Sequence, residues 1–228
     1  MSSYQLKIMG IILMVLDHIG FLFPTLNITI YLRIVGRVVA PIFFYLLVEG
    51  FFHTSNRKKY LNRLLFFSIL MSIGNIFFIS IIKTFNIQTM YSLRILCPNI
   101  FLSMFLSLKT LETLENLKNK KQISNLLLLC LYITLNFYTE SSVYGIFMTF
   151  IFYFLRDKKI AKVMAYIFST FIVCLLKGAF IQVFMVFAII PILFYNGEKG
   201  RGLLSYKYFF YLFYMVHFWI LIIISLII

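Results

Sequence analysis

Apolar residues do not alternate along this chain; they run. The segments LLLLC (126–130) and ILIIISLII (220–228) have no polar residue at every second position. A lipid-facing β-barrel strand requires that alternation, so the pattern excludes one and calls for helices. A span needs about 20 mostly apolar residues. Nine segments meet or approach this: 6–24, 32–53, 60–83, 92–109, 123–139, 142–156, 160–177, 179–195 and 207–228. The sixth is short and suits a re-entrant or closely packed helix. The polar stretch KTLETLENLKNKK (109–121) reads as a solvated connection with some helical spacing. No small-residue cleavage site follows the first run, which therefore reads as a retained span.

Composition agrees. The chain of 228 residues is 62% hydrophobic, 12% charged and has a mean hydropathy of +0.98. That leaves too few polar residues to face water, so the bilayer is the expected solvent. The expected fold is all-α, a polytopic membrane helix bundle of about nine transmembrane helices, forming one integral membrane domain over 1–228.

Charge orients the bundle. With the N-terminus in the cytoplasm, Lys7 and the basic runs at 57–63, 109–121, 156–162 and 199–207 fall inside, sixteen of the 21 Lys and Arg residues. Arg33, Arg37, Lys83, Arg94 and Lys177 fall outside. That asymmetry follows the positive-inside rule and places the N-terminus in and the C-terminus out. It also accounts for the net charge of +14 through anionic lipids, without nucleic acid. Cys97, Cys130 and Cys174 are far apart in predicted spans, with no metal-ligand spacing and no disulfide pattern.

The candidate chemistry lies in residues that an apolar span should lack. VLDHIGFLFP (15–24) carries Asp17 beside His18. A charge at the bilayer centre costs about 2.5–3.5 kcal/mol on insertion scales, so such groups face a bundle interior and a partner. Arg33 and Arg37 are four apart, share a helix face and enter the next span from the same side. Two readings compete. In one, Asp17 and an arginine fix helix packing beside a satisfied histidine. In the other, His18 is a general base tuned by these charges. Glu49 and His53 share a helix face, and His53 reads as an interface residue. Asn75, Asn99 and Gln182 are polar residues in spans, able to bond a neighbouring helix. His217 lies near the middle of the last span. In YNGEKGRG (195–202), glycine-freed N–H groups with Lys199 and Arg201 could hold phosphates, and a plain positive-inside loop explains the same residues.

Taken in order, LKIMGIILMVLDHIG, LRIVGRVVAPIFFYLLVEGFFHTSNRKKYLNRLL, PNIFLSMFLSL, YNGEKG and KYFFYLFYMVH resemble the TraX family. The resemblance runs from Leu6 to His217. The family's DYG-like turn is matched loosely by Glu140 and Tyr144-Gly145, and the tyrosine-proline that usually precedes its last histidine is here Tyr214-Met215. The family is named for a protein that acetylates a pilin N-terminus, and it is distantly similar to membrane acyltransferases of surface sugars. The resemblance implies an acyltransferase of the bacterial cytoplasmic membrane. It would carry acetyl from acetyl-CoA to an amine or hydroxyl of a peptide or glycan acceptor, with no metal. In that scheme His18 takes the proton, Asp17 orients it, and His217 completes the catalytic set. Arg33, Arg37, Glu49, Asn99 and Tyr144 meet the substrate, and Asn196, Gly197, Lys199, Gly200 and Arg201 guide CoA. A proton-coupled transporter and a non-enzymatic assembly factor for surface structures are the alternatives.

Overall fold

A computed structural model describes residues 1–84, 99–200 and 208–227. Every regular element among them is helical. The elements are α1 (Ser3–Leu22), α2 (Thr29–Gly36), α3 (Val39–His53), α4 (Arg57–Thr84), α5 (Ile100–Asn119), α6 (Ile123–Phe137), α7 (Ser142–Phe154) and α8 (Lys159–Lys177). A 3₁₀ helix (Phe180–Ala188), α9 (Ile189–Leu193) and α10 (Phe209–Ile227) follow. Five stretches are long and apolar enough to cross a membrane: Ser3–Leu22, Thr29–His53, Arg57–Thr84, Lys159–Leu176 and Phe209–Ile227. Three shorter apolar ones cover Ile123–Phe137, Ser142–Phe154 and Phe180–Leu193. Their outward faces are apolar: Ile12, Phe66, Ile73, Leu127, Phe168 and Ile223 are all exposed. That is the surface a lipid solvent requires.

The chain forms two compact units. Residues 1–46 and 163–228 make the first, where α1 packs against α2 and α10 and the 3₁₀ helix packs on α2. Residues 47–162 make the second, in which α5 is central and contacts α4, α6 and α7.

Two departures from the sequence pattern have clear causes. The expected span at 32–53 is broken between α2 and α3. Pro41 has no N–H, and its ring crowds the carbonyl four residues back, that of Arg37. The helix therefore stops at Gly36, Arg37 N–H turns to Ile34 O at 3.1 Å, and α3 starts afresh at Val39. The second departure is the polar stretch 109–121, which is the second half of α5 rather than a solvated connection. Leu108 and Leu111 keep the apolar spacing of the helix and are fully buried, while Lys109 pairs with Glu112 one turn on, at 2.7 Å. The 3₁₀ helix is long for its kind. The Tyr166 hydroxyl bonds Met185 O and ties it to α8, while Gln182 Oε1 is buried with no partner among the described residues.

Candidate functional site

Successive residues of an α-helix point about 100° apart, so Asp17 and His18 cannot serve the same neighbour. In the first unit Asp17 faces α2 and His18 faces α10. The Asp17 carboxylate receives Arg33 Nη1 at 3.0 Å and Arg37 Nη2 at 2.5 Å, both on Oδ1. Arg33 Nη1 also donates to Asp17 O at 3.3 Å, and Arg37 Nε donates to Arg33 O at 3.0 Å. That last bond satisfies a carbonyl released by the break after Gly36. Gly36 is what allows the close approach: a Cβ there would overlap the Asp17 side chain. The expected pairing of Asp17 with His18 is not what the structure builds. Arginines take the carboxylate, and His18 finds a different partner.

That partner is His217. His18 Nδ1 lies 2.8 Å from His217 Nε2, with the rings parallel to within 7°. His217 Nδ1 lies 2.6 Å from Phe213 O, one turn back on α10. A carbonyl only accepts, so His217 Nδ1 carries a proton. With both rings neutral, His217 Nε2 is then bare and accepts, and His18 Nδ1 is the donor. The chain of bonds leaves His18 Nε2 unprotonated, and no described residue hydrogen-bonds to it. Both histidines are buried, and aromatic rings wall them. Tyr214 and Phe218 stand edge-on to His18 at 5.7 and 5.0 Å, and Phe213 stacks on His217 at 5.0 Å. Such an arrangement can fix a histidine tautomer and share the positive charge that follows protonation.

The loop expected to guide CoA sits at the other end of α1. Ser3 N–H donates to Glu198 O at 2.8 Å, Tyr4 N–H to Lys199 O at 3.1 Å, and Asn196 N–H to Met1 O at 3.0 Å. Ser2 and Gln5 form a reciprocal capping box. Loop carbonyls and the box therefore satisfy the first N–H groups of α1. Glu198 N–H is already bonded to Asn196 Oδ1, at 3.2 Å. Gly197 and Gly200 adopt φ of +80° and +72°, and Lys199 is exposed. Arg201 lies outside the described residues. Ser3 and His18 are fifteen residues apart on one helix, which is about 22 Å.

The remaining candidates belong to the second unit. Glu49 is buried and held by a fork from Arg156, Nε to Oε1 at 3.0 Å and Nη2 to Oε2 at 3.3 Å. The Arg156 guanidinium lies 4.4 Å from the Phe52 ring. His53 Nδ1 donates to Glu49 O at 2.8 Å. Asn99 caps α5: its Oδ1 accepts from Leu102 N–H at 3.1 Å, and its Nδ2 donates to Ser68 O and Ser72 Oγ, both at 2.8 Å. Tyr144 is buried in the first turn of α7. Among the described residues no cluster of three His, Cys, Asp or Glu side chains could hold a metal ion. The sequence reading missed Tyr214, Phe218, Gly36 and Arg156. For Arg156 a signal existed, since the buried carboxylate of Glu49 needed a cation.

Apolar faces turned outward around enclosed histidines and ion pairs define an integral membrane protein of the helix-bundle class. The TraX protein family model matches residues 2–225, and the chain belongs to that family. A curated relative from Dichelobacter nodosus, named "Probable fimbrial assembly protein FimC, serogroup H1", is 30% identical over 238 residues, covering 95% of this chain and 92% of its own. No solved structure matches the chain.

Proposed function

We propose that the protein is an acyltransferase of the bacterial cytoplasmic membrane, moving an acetyl group from acetyl-CoA to an amine or hydroxyl of an exported or membrane-embedded acceptor during assembly of surface fibres. The observation that carries this reading is the bond chain from Phe213 O through His217 to His18, which leaves His18 Nε2 ready to accept a proton. In the reaction, His18 Nε2 takes the proton from the acceptor N–H or O–H as that atom attacks the thioester carbonyl. The C–S bond then breaks, and the CoA sulfur leaves with the proton that His18 returns. His217 Nε2 accepts from His18 Nδ1–H and so holds that tautomer, the orienting duty that a carboxylate has in a serine-hydrolase triad. Family membership and the relative's printed name support an acceptor among the components of surface fibres. The exposed Lys199 remains the donor-guiding candidate, reached from the opposite end of α1.

The bonds that loop carbonyls give to the start of α1 favour a second reading. They assign 196–200 a structural duty, which suits a non-enzymatic assembly factor. The test is transfer of labelled acetyl from acetyl-CoA into membrane material of cells that make the wild-type protein or His18→Ala. A His18→Ala protein of normal abundance should lose transfer about 10²–10⁴-fold. Equal labelling by both proteins refutes His18 as the base, and no labelling by either turns the assignment toward the assembly factor.

A further inference from the structure

The outward side of α1 carries a groove of about 320 Å³, lined by Tyr4, Gln5, Ile8, Met9, Ile12 and Leu13. These residues form two rows of spacing four, 4-8-12 and 5-9-13, and such rows stand as ridges on a helix. From Tyr4 to Leu13 the groove follows the helix axis for about 14 Å. Leu6, Gly10, Met14 and His18, on the other side of α1, are buried. The groove therefore opens away from the first unit, and Ile12 is 57% exposed in it. Its two ends differ. The Leu13 end is wholly apolar. At the Tyr4 end the loop 196–200 is tied to the helix by the bond from Tyr4 N–H to Lys199 O, at 3.1 Å, and Lys199 is exposed there. Glu198 is engaged within the loop, its Oε2 accepting from Asn196 Nδ2 at 2.9 Å. Lys7 is turned to α10, with Nζ 5.2 Å from the centre of the Phe210 ring. No described residue hydrogen-bonds the Tyr4 hydroxyl.

We infer that this groove binds one acyl chain of an anionic glycerophospholipid, with the lipid phosphate at Lys199 and the Tyr4 hydroxyl. Shape and charge each narrow the occupant. A second helix would need small residues for close approach. The groove offers none, because both glycines of α1 face the protein: Gly10 meets the Phe43 ring, and Gly20 meets Leu32 and Arg33. Ile8, Met9, Ile12 and Leu13 suit a thin, flexible chain instead. The phosphates of coenzyme A would suit Lys199 as well, but the pantetheine arm carries two amides that an apolar wall leaves unbonded, and an acyl chain carries no polar group. The cation and hydroxyl at one end only then fix the direction of the lipid, head at the loop and chain toward Leu13. The charge asymmetry of the chain puts that head in the cytoplasmic leaflet, where anionic lipids lie. A lipid held this way spans loop and helix and braces the start of α1. The inference is independent of the transfer reaction and of His18.

The experiment titrates dioleoyl phosphatidylglycerol or dioleoyl phosphatidylcholine into delipidated full-length protein in neutral detergent and counts bound lipid by native mass spectrometry. Wild type should hold one phosphatidylglycerol about fivefold more tightly than phosphatidylcholine, the effect of one lysine at an anionic headgroup. Lys199→Gln should erase that preference and leave the affinity for phosphatidylcholine as it was. Ile12→Trp fills the groove and should weaken both lipids about tenfold or more. Ile73→Trp, on the exposed face of α4, should weaken neither. Near-UV circular dichroism checks the fold of each variant, and Ile8→Phe takes the place of Ile12→Trp if that protein misfolds. Unchanged lipid binding in the folded groove variant, an equal loss in Ile73→Trp, or a phosphatidylglycerol preference that survives Lys199→Gln overturns the inference. Dimers in wild type that Ile12→Trp dissolves also overturn it, by giving the groove to a second copy. Displacement of phosphatidylglycerol by coenzyme A at equal concentration does the same, by giving Lys199 to the donor.

Discussion

Gly36→Ala is the sharpest structural perturbation available. The nearest atom to a new Cβ at 36 is the Cβ of Asp17. A Cβ is fixed to its backbone, so no rotamer change at Asp17 can make room, and α1 and α2 must move apart. Overpacking of this kind costs about 1–3 kcal/mol. Separation also lengthens the 2.5 Å contact between Arg37 and Asp17, and a hydrogen bond to a charged group contributes about 1.5–3 kcal/mol. Together the substitution should destabilise the protein by about 2.5–6 kcal/mol. Gly10→Ala is the control. Its Cβ would meet the Phe43 ring edge at 2.9 Å, the far end of a side chain that can tilt, for about 1 kcal/mol or less. Reversible unfolding in mixed micelles, followed through Trp219, measures both. If Gly36→Ala proves as stable as wild type, or no worse than Gly10→Ala, the claimed contact between α1 and α2 is wrong.

Arg156→Ala takes the forked partner from buried Glu49 but leaves it His53 at 3.8 Å and the field of Lys162, so it should destabilise by about 1–3 kcal/mol in the same assay; the additional change Glu49→Gln should recover part of that loss. Asn99→Ala removes the cap of α5 and its two bonds to α4, so about 1–3 kcal/mol should be lost, with amide exchange rising first at Leu102 and Ser103. His217→Ala frees His18 to exchange tautomers. Nitrogen-15 spectra of the His18 ring should then change from a single Nδ1–H form to a mixture, and an unchanged spectrum would remove His217 as its orienting partner.

Long apolar runs made the helical fold legible, because a bilayer leaves a segment like 207–228 no other way to satisfy its backbone. Asp17, His18, Arg33 and Arg37 were legible as a group because charge in an apolar segment demands a partner and a short connection makes α1 and α2 neighbours. What stayed hidden depends on direction. Spacing cannot tell which neighbour His18 meets, since its partner His217 is 199 residues away in sequence. The break at 37–38 carried a signal in Pro41, which the apolar residues around it masked. In 109–121 the polar letters outweighed Leu108 and Leu111, whose spacing belonged to α5. Asn99 read as a ligand group because a helix cap and a substrate donor use the same amide.

The adjacent letters Asp and His suggest one catalytic unit, and helix geometry argues for two sites that meet at one backbone. The 100° turn between residues sends the carboxylate to α2 and the imidazole to α10. Asp17 therefore cannot set the tautomer of His18, and that duty falls to the Phe213 carbonyl acting through His217. This division makes the two neighbours separable. Loss of His18 should abolish transfer while the α1–α2 ion pairs remain, whereas Asp17→Asn should leave the His18 tautomer intact and weaken the α1–α2 contact. If Asp17→Asn instead scrambled the His18 ring protons as His217→Ala does, the two residues would act as one dyad after all.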